Sequence, residues 1–327
     1  MKNKFVKFAA LAGGVVLVVG AAGAATVQLR YDRTFDIADV EVIAVQDSAV
    51  IERGAYLAYG PAHCAYCHNT ADKWPQLDAG ERVPLSGGAV FNIGIAKLTT
   101  PNLTPDKETG LGNVPDAKIA RMLRHNVRSS GVAAVPFMEY QNMSDEDLVA
   151  VISFLRSQEP VRNEIAPREF SLMGKAIMSF LIKPSGPTSP PPQRSPVEAP
   201  TVERGAYLVN SVANCAGCHT KRSMKDGSYQ APRLSGGTPM AGDDGKQYTA
   251  PNLTPDPKTG HIRNWTEDQF VARFRAGSIN GLGSHMPWRA FARMSDADIR
   301  AIYRYLQTVP PTENATGPLV ADAEQAK

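Results

Sequence analysis

Apolar and polar positions divide the chain into an uncharged leader and two similar amphipathic halves. From Phe8 to Leu29 no charged residue occurs, and Lys2, Lys4 and Lys7 stand at its start. A positive end, an apolar centre and small residues such as Ala22-Gly23-Ala24 have the form of an export signal. The run is also about as long as a membrane-spanning helix needs to be. Cleaved signal and retained anchor both fit this pattern over residues 1–30, and the Gly and Ala richness favours cleavage. With the positive end held in the cytoplasm, everything after residue 30 lies on the far side of the membrane.

Further along, Leu148, Val151, Ile152 and Leu155 recur at helical spacing, as do Ile299, Ile302, Tyr303 and Leu306. Both stripes read as core packing. Each follows a Ser-x-x-Asp pattern, Ser144 to Asp147 and Ser295 to Asp298, resembling a capping box with Asp in place of Glu. Helices are also predicted over Ile51 to Tyr59, Val202 to about Val212, Asp116 to Arg128, and Thr266 to Ala276. Thr266 is the expected N-cap of the last of these, with Glu267 and Asp268 in the first turn where the helix dipole favours them. The Gly- and Pro-rich stretches between helices show no strand alternation, so an all-α fold is predicted. Leu172 to Ile182 is apolar but too short to span a bilayer. It packs across a domain interface or touches a membrane surface, and packing is the preferred reading. Lys183 to Pro200 holds seven prolines, which predicts an extended, stiff segment wrapped along the surface. The tail from Thr312 is predicted to lack fixed structure.

The halves are a duplication. Ile51-Glu52-Arg53-Gly54-Ala55-Tyr56-Leu57 returns as Val202-Glu203-Arg204-Gly205-Ala206-Tyr207-Leu208. Ser86-Gly87-Gly88 returns as Ser235-Gly236-Gly237, and Pro101-Asn102-Leu103-Thr104-Pro105-Asp106 returns in full from Pro251 to Asp256. Met143-Ser144-Asp145 returns as Met294-Ser295-Asp296. Two domains follow, 49–160 and 201–310, joined by a Pro-rich connector over 161–200 and followed by a tail over 311–327.

Composition adds little: a net charge of +3 in 327 residues, with no basic cluster interleaved with aromatics, gives no reason to expect nucleic acid. The cysteines add a great deal. All four lie in Cys64-Ala65-Tyr66-Cys67-His68 and Cys215-Ala216-Gly217-Cys218-His219. C-x-x-C-H is the attachment pattern of haem c. Its thiols bind the porphyrin covalently and its histidine supplies the proximal nitrogen. Redox dithiols, or a zinc site built from both pairs, are the competing readings, but neither requires a His after the second Cys. Two covalent haem c groups are therefore expected, on Cys64, Cys67, Cys215 and Cys218, with His68 and His219 as axial ligands. Arg53 and Arg204 are read either as partners of haem propionates or as solvated helix residues. Tyr56 and Tyr207 are read as packing against the haem or a neighbouring helix, and Asn102 and Asn252 as turn residues.

These motifs together resemble the exported dihaem cytochromes c of bacteria that serve periplasmic alcohol, aldehyde and sugar-acid dehydrogenases. The resemblance rests on Arg-Gly-x-Tyr-Leu before Cys-x-x-Cys-His, then Ser-Gly-Gly, Pro-Asn-Leu-Thr-Pro-Asp, Met-Pro-Trp, and Met-Ser-Asp-x-Asp before the last helix. It implies two tandem class I cytochrome c domains, each of about three main helices around one haem. It also implies an electron-transfer role: single electrons pass from a periplasmic dehydrogenase to a downstream cytochrome or terminal oxidase, on the periplasmic side of the inner membrane, with membrane attachment possible in principle. Such haem subunits often carry three haem motifs, and this chain has two. Class I cytochromes c place a Met ligand on the loop before the last helix, which implies Met286 in the second copy, with His285 as a rival donor. In the first copy Val135 aligns with Met286. Met138, three residues later, is then the implied ligand, with His125 or an open iron as alternatives. An open iron would make the chain a haem enzyme or ligand sensor, its distal polarity drawn from His125, Tyr140 or Gln141.

Overall fold

The computed structural model describes residues 2–223, 229–242, 244–277 and 285–322, with side chains from residue 11 onward. Helix α1 (Lys2–Arg30) carries the apolar leader and is exposed from Leu11 to Arg30, save for the half-buried Val27. Helix α2 (Ser48–Tyr59) begins where the Asp47 carboxylate accepts from the amides of Ala49 and Val50. It delivers the chain to α3 (Cys64–Cys67), followed by α4 (Trp74–Asp78) and strands β1 (Val90–Asn92) and β2 (Ala96–Thr99). Helix α5 (Asp116–His125) stops short of the predicted Arg128, because Asn126 turns left-handed at φ 53°. Then come α6 (Asp145–Ser157), β3 (Glu169–Phe170) and α7 (Leu172–Phe180).

The second copy repeats the order. Helix α8 (Val202–Tyr207) continues through a π-helical turn at Leu208–Val212, so the predicted helix is present but locally wider. Helix α9 (Cys215–His219), strands β4 (Pro239–Ala241) and β5 (Lys246–Thr249), and helices α10 (Glu267–Arg275), α11 (Trp288–Phe291) and α12 (Asp296–Leu306) follow. Thr266 caps α10 with a full capping box, its partner being Gln269. Strand β6 (Val320–Asp322) comes last.

The all-α expectation needs correction. Each copy carries a small antiparallel sheet, β1-β2-β3 and β4-β5-β6. These strands are two to four residues long, and β1 is exposed at every position. Neither length nor alternation could reveal them, since strand periodicity depends on one buried face. The tail is also corrected. It is held along the second copy as far as Asp322, and 323–327 lie outside the described residues.

The structural repeat therefore runs past residues 160 and 310. The Asn163 amide side chain donates to Ser86 O and its backbone N–H to Thr109 Oγ1, as Asn314 does to Ser235 O and Thr259 Oγ1. From Lys183 to Pro200 the connector lies on the surface, as expected, with no residue buried. Asp145 N–H donates to Pro192 O and Glu146 N–H to Gln193 O.

In each copy the first helix crosses the last at very close range. Gly54 faces the carbonyl of Ala150, and Gly205 faces that of Ala301, where any β-carbon would overlap backbone. Around these crossings lies one continuous core, from Leu57, Leu148 and Ile152 to Leu208, Ile299 and Ile302.

Candidate haem sites

The repeated motifs meet around the two histidines. Gly87, at φ 77°, brings its N–H onto the carbonyl of His68 (2.9 Å) and lies against the Pro101 carbonyl, where a β-carbon would not fit. That carbonyl is 3.0 Å from Nδ1 of His68. Gly236, Pro251 and His219 repeat the arrangement, again at 3.0 Å. The Pro101 loop is held from beneath: Asn102 Oδ1 accepts from the backbone and hydroxyl of Thr104, and its amide donates to Val161 O and Thr109 Oγ1. Asn252 makes the same set with Thr254, Thr312 and Thr259. The turn reading of both asparagines is thus met, with a purpose added. They set the carbonyl that fixes each histidine's tautomer, with the proton on Nδ1 and Nε2 left as the donor to a metal.

Both histidines are 6% exposed. Burial lowers their pKa to about 4, so the neutral, metal-binding form prevails at neutral pH. Burial also pushes the Cys64 and Cys215 thiols up to about 12, Cys67 to about 11, and Cys218 upward. A redox C-x-x-C pair requires the reverse, a thiol lowered toward neutrality. No three His, Cys, Asp or Glu side chains converge on a metal position among the described residues, so the two motifs do not combine into one zinc site. The residues do fit haem c. Each motif presents two thiols outside any disulfide and a buried neutral imidazole whose Nε2 has no hydrogen bond among the described residues. Buried donors without hydrogen-bond partners among the described residues, Trp74 Nε1 and Arg273 Nη2, flank the first motif and the Met286 loop respectively. They are of the kind that porphyrin carboxylates take up.

Met286 and Met138 are both half-buried and packed on the shared core. The rival His285 is exposed, and its Nε2 lies 2.8 Å from Ala241 O. Val135 occupies the backbone position of Met286: Phe137 N–H donates to Val135 O (2.8 Å) as Trp288 N–H donates to Met286 O (2.7 Å). The short helix α11 has no counterpart around Met138, so the intervening loop takes a different path in the first copy. His125 Nδ1 is 3.1 Å from Ser185 O of the connector. Gln141 donates to Ser185 Oγ and Met138 O, and the Tyr140 hydroxyl to Ala62 O. All three residues considered for distal polarity are thus engaged by protein.

Arg53 and Arg204 each turn to the last helix of their own copy. Arg53 forms a two-point pair with Asp147 (2.9 and 3.0 Å), and the fully buried Arg204 does so with Asp298 (2.7 and 2.9 Å). Tyr56 and Tyr207 then cross between copies. Tyr56 donates to Asp298 at 2.6 Å and accepts from Ser295 N–H. Tyr207 donates to Asp147 at 2.6 Å and accepts from Ser144 N–H. Ser144 and Ser295 cap their helices as predicted (3.1 and 3.2 Å). The aspartates do not complete a capping box, because their carboxylates serve this network. The copies also meet beside the motifs: the His63 ring lies edge-on to Phe291 at 5.8 Å, Arg289 pairs with Asp78, and Arg222 pairs with Glu139. This reciprocal network was missed in the sequence. The duplicated Arg-Gly-Ala-Tyr and Met-Ser-Asp segments signalled its parts, but not that the tyrosines exchange partners.

The family described as cytochrome C oxidase, cbb3-type, subunit III matches residues 200–306. The chain is 28% identical over 301 residues to the cytochrome c subunit of a quinone alcohol dehydrogenase from Gluconacetobacter polyoxogenes, covering 86% of this chain and 60% of that protein. It is 29% identical over 290 residues to the fructose dehydrogenase cytochrome subunit of Gluconobacter japonicus, covering 84% of this chain and 56% of that protein. With a diheme cytochrome c-type protein of Cereibacter sphaeroides it shares 29% over 262 residues, 76% of this chain and 83% of the other. The chain thus spans about 60% of the length of the alcohol dehydrogenase subunit. The sequence of this chain is similar, along most of its length, to cytochrome c subunits of bacterial dehydrogenases.

Proposed function

We propose that the chain is a dihaem c-type cytochrome that relays single electrons from a periplasmic dehydrogenase to a downstream cytochrome or terminal oxidase. One observation supports this above the rest: the same His-to-proline-carbonyl geometry, with half-buried thiols beside it, is built twice from repeated motifs. When bound, each haem supplies an iron that alternates between ferric and ferrous states. Cys64 and Cys67, and Cys215 and Cys218, hold the two porphyrins. His68 and His219 donate through Nε2, oriented by Pro101 and Pro251. Met286 serves the second iron and Met138 the first, their thioethers favouring the ferrous state. The two domains, 49–160 and 201–310 with their added third strands, keep the haems in fixed relation through the Tyr56 and Tyr207 exchange.

A second reading, an open iron in the first copy, is favoured by one observation: Val135 stands where Met286 stands in the second copy. The engagement of His125, Tyr140 and Gln141 by protein argues against it. The reduced holoprotein, mixed with CO, distinguishes the two. Under the relay reading neither haem changes its spectrum on mixing. Immediate CO binding at one haem per chain would establish the open-iron reading instead.

A further inference from the structure

Helix α7 has two faces. Gly174 and Met178, one helical turn apart, are buried, and Gly174 lies against the Ile95 carbonyl before β2. On the other side Leu172, Met173 and Phe180 are 66, 64 and 50% exposed, and Leu181, which caps the helix, is 41% exposed. Such a run of large apolar side chains calls for a partner. The position of α7 identifies one. Ser179 Oγ donates to Val27 O (3.1 Å), and Lys175 Nζ donates to Gln28 Oε1 (2.8 Å). Lys175 also lies over the Tyr31 ring, and Arg30 over the Phe180 ring. Lys175, Ser179 and Phe180 of α7 thus touch residues 27–31, the last turn of α1 and the residue after it. The contacts fall within about one turn of α1, so α7 crosses its end instead of running down beside it.

Residues Leu11–Arg30 of α1 have a mean hydropathy of 1.8 and form a helix of 20 residues. At 1.5 Å per residue that is about 30 Å, the hydrocarbon thickness of a bilayer. The turn that α7 crosses is where the apolar run gives way to charge, the level of the lipid headgroups. The surroundings match that level. Tyr31 packs edge-on to Phe170, Arg168 lies over Phe170, and Arg33 lies over Phe35. Tyr and the basic residues that end an apolar helix are at home at the membrane–water boundary, and a short helix with one apolar face can lie in it.

We infer that α7 is a monotopic membrane contact, inserting Leu172, Met173, Phe180 and Leu181 into the outer surface of the bilayer that α1 spans. The leader is then retained as an anchor, because its last turn is part of this packing. The haem-bearing halves are held at two points, which restricts their orientation over the membrane. The inference is independent of haem content and of the electron partners.

Photolabelling by lipid tests it. The full-length holoprotein is reconstituted into vesicles of phosphatidylethanolamine and phosphatidylglycerol carrying a phospholipid with a diazirine in its acyl chain. After illumination the labelled peptides are mapped by mass spectrometry. Label is expected on the peptide spanning 172–181 as well as on α1. The Met173→Glu/Phe180→Glu variant is expected to lose at least about four-fifths of the α7 label, with the α1 label and the haem spectrum unchanged. Label confined to α1 would overturn the inference. So would a mature N-terminus beyond Ala24, or an α7 face that crosslinks to a second protein in place of lipid.

Discussion

Pro101 and Pro251 illustrate how one residue governs a site it does not itself occupy. A proline has no N–H, but its carbonyl is free to accept, and here it fixes the tautomer of a buried imidazole. The neighbouring glycines are required because their backbone must approach that carbonyl. At this scale the proposed axial methionines are separable. Met286→Leu is expected to leave one iron without its thioether, so that CO uptake rises from none to about one per chain in the reduced protein. Met138→Leu is expected to do the same for the other haem. No change in CO uptake in the Met138 variant would remove that residue from the ligand set.

Helix pairs carry the next scale. The α2–α6 and α8–α12 crossings depend on Gly54 and Gly205, and the two positions are equivalent in the duplication. Gly→Ala normally favours a helix by about 1 kcal/mol. Here the added methyl would meet the carbonyl of Ala150 or Ala301, so the helices must separate. Gly54→Ala and Gly205→Ala are each expected to destabilise by about 1–3 kcal/mol or more, read as a lower denaturant midpoint. A neutral or stabilising result would show that the crossing can relax. The same crossings bring Arg53 to Asp147 and Arg204 to Asp298. A repeated Arg-Gly pair is therefore one device: the glycine permits contact, and the arginine adds an ion pair to the helix it contacts.

The whole molecule is tied together by the exchange of tyrosines. Burial first, then the charge of the Asp partner, raises the pKa of Tyr56 and Tyr207 well above the usual value near 10. In the unfolded chain both lose their proton near pH 10. Folding holds them protonated, so the stabilisation is complete below pH 10 and declines as pH rises above it. The double variant Tyr56→Phe/Tyr207→Phe is expected to be less stable at pH 7, by about 1.5–3 kcal/mol per lost hydrogen bond to a charged partner. It should also lose stability less steeply above pH 10. An alkaline unfolding series on both proteins checks this, and equal slopes would show that the tyrosines do not titrate with folding. A change in electron exchange between the two proposed haems of the variant would further tie the network to the proposed relay.

The linear chain determined the duplication, the C-x-x-C-H motifs, the main helices and their serine and threonine caps, since these depend on residue type and short spacing. Even the turn role of Asn102 and Asn252 was legible, because an Asn side chain closes its turn within two residues. The strands were not legible: β1 and β2 form a short hairpin whose strands of three and four residues carry no usable alternation, and β3 joins it from about seventy residues away. Nor was the fate of Arg53, Arg204, Tyr56 and Tyr207, where the local reading allowed haem contact, solvation or packing. Only the tertiary structure decided that each arginine meets an aspartate within its own copy and each tyrosine one across the interface. It also placed α7 on the last turn of α1. The reason is physical: partners separated by 60 to 242 residues are selected by which surfaces can approach and bury together, and that is a property of the assembled halves, not of either stretch alone.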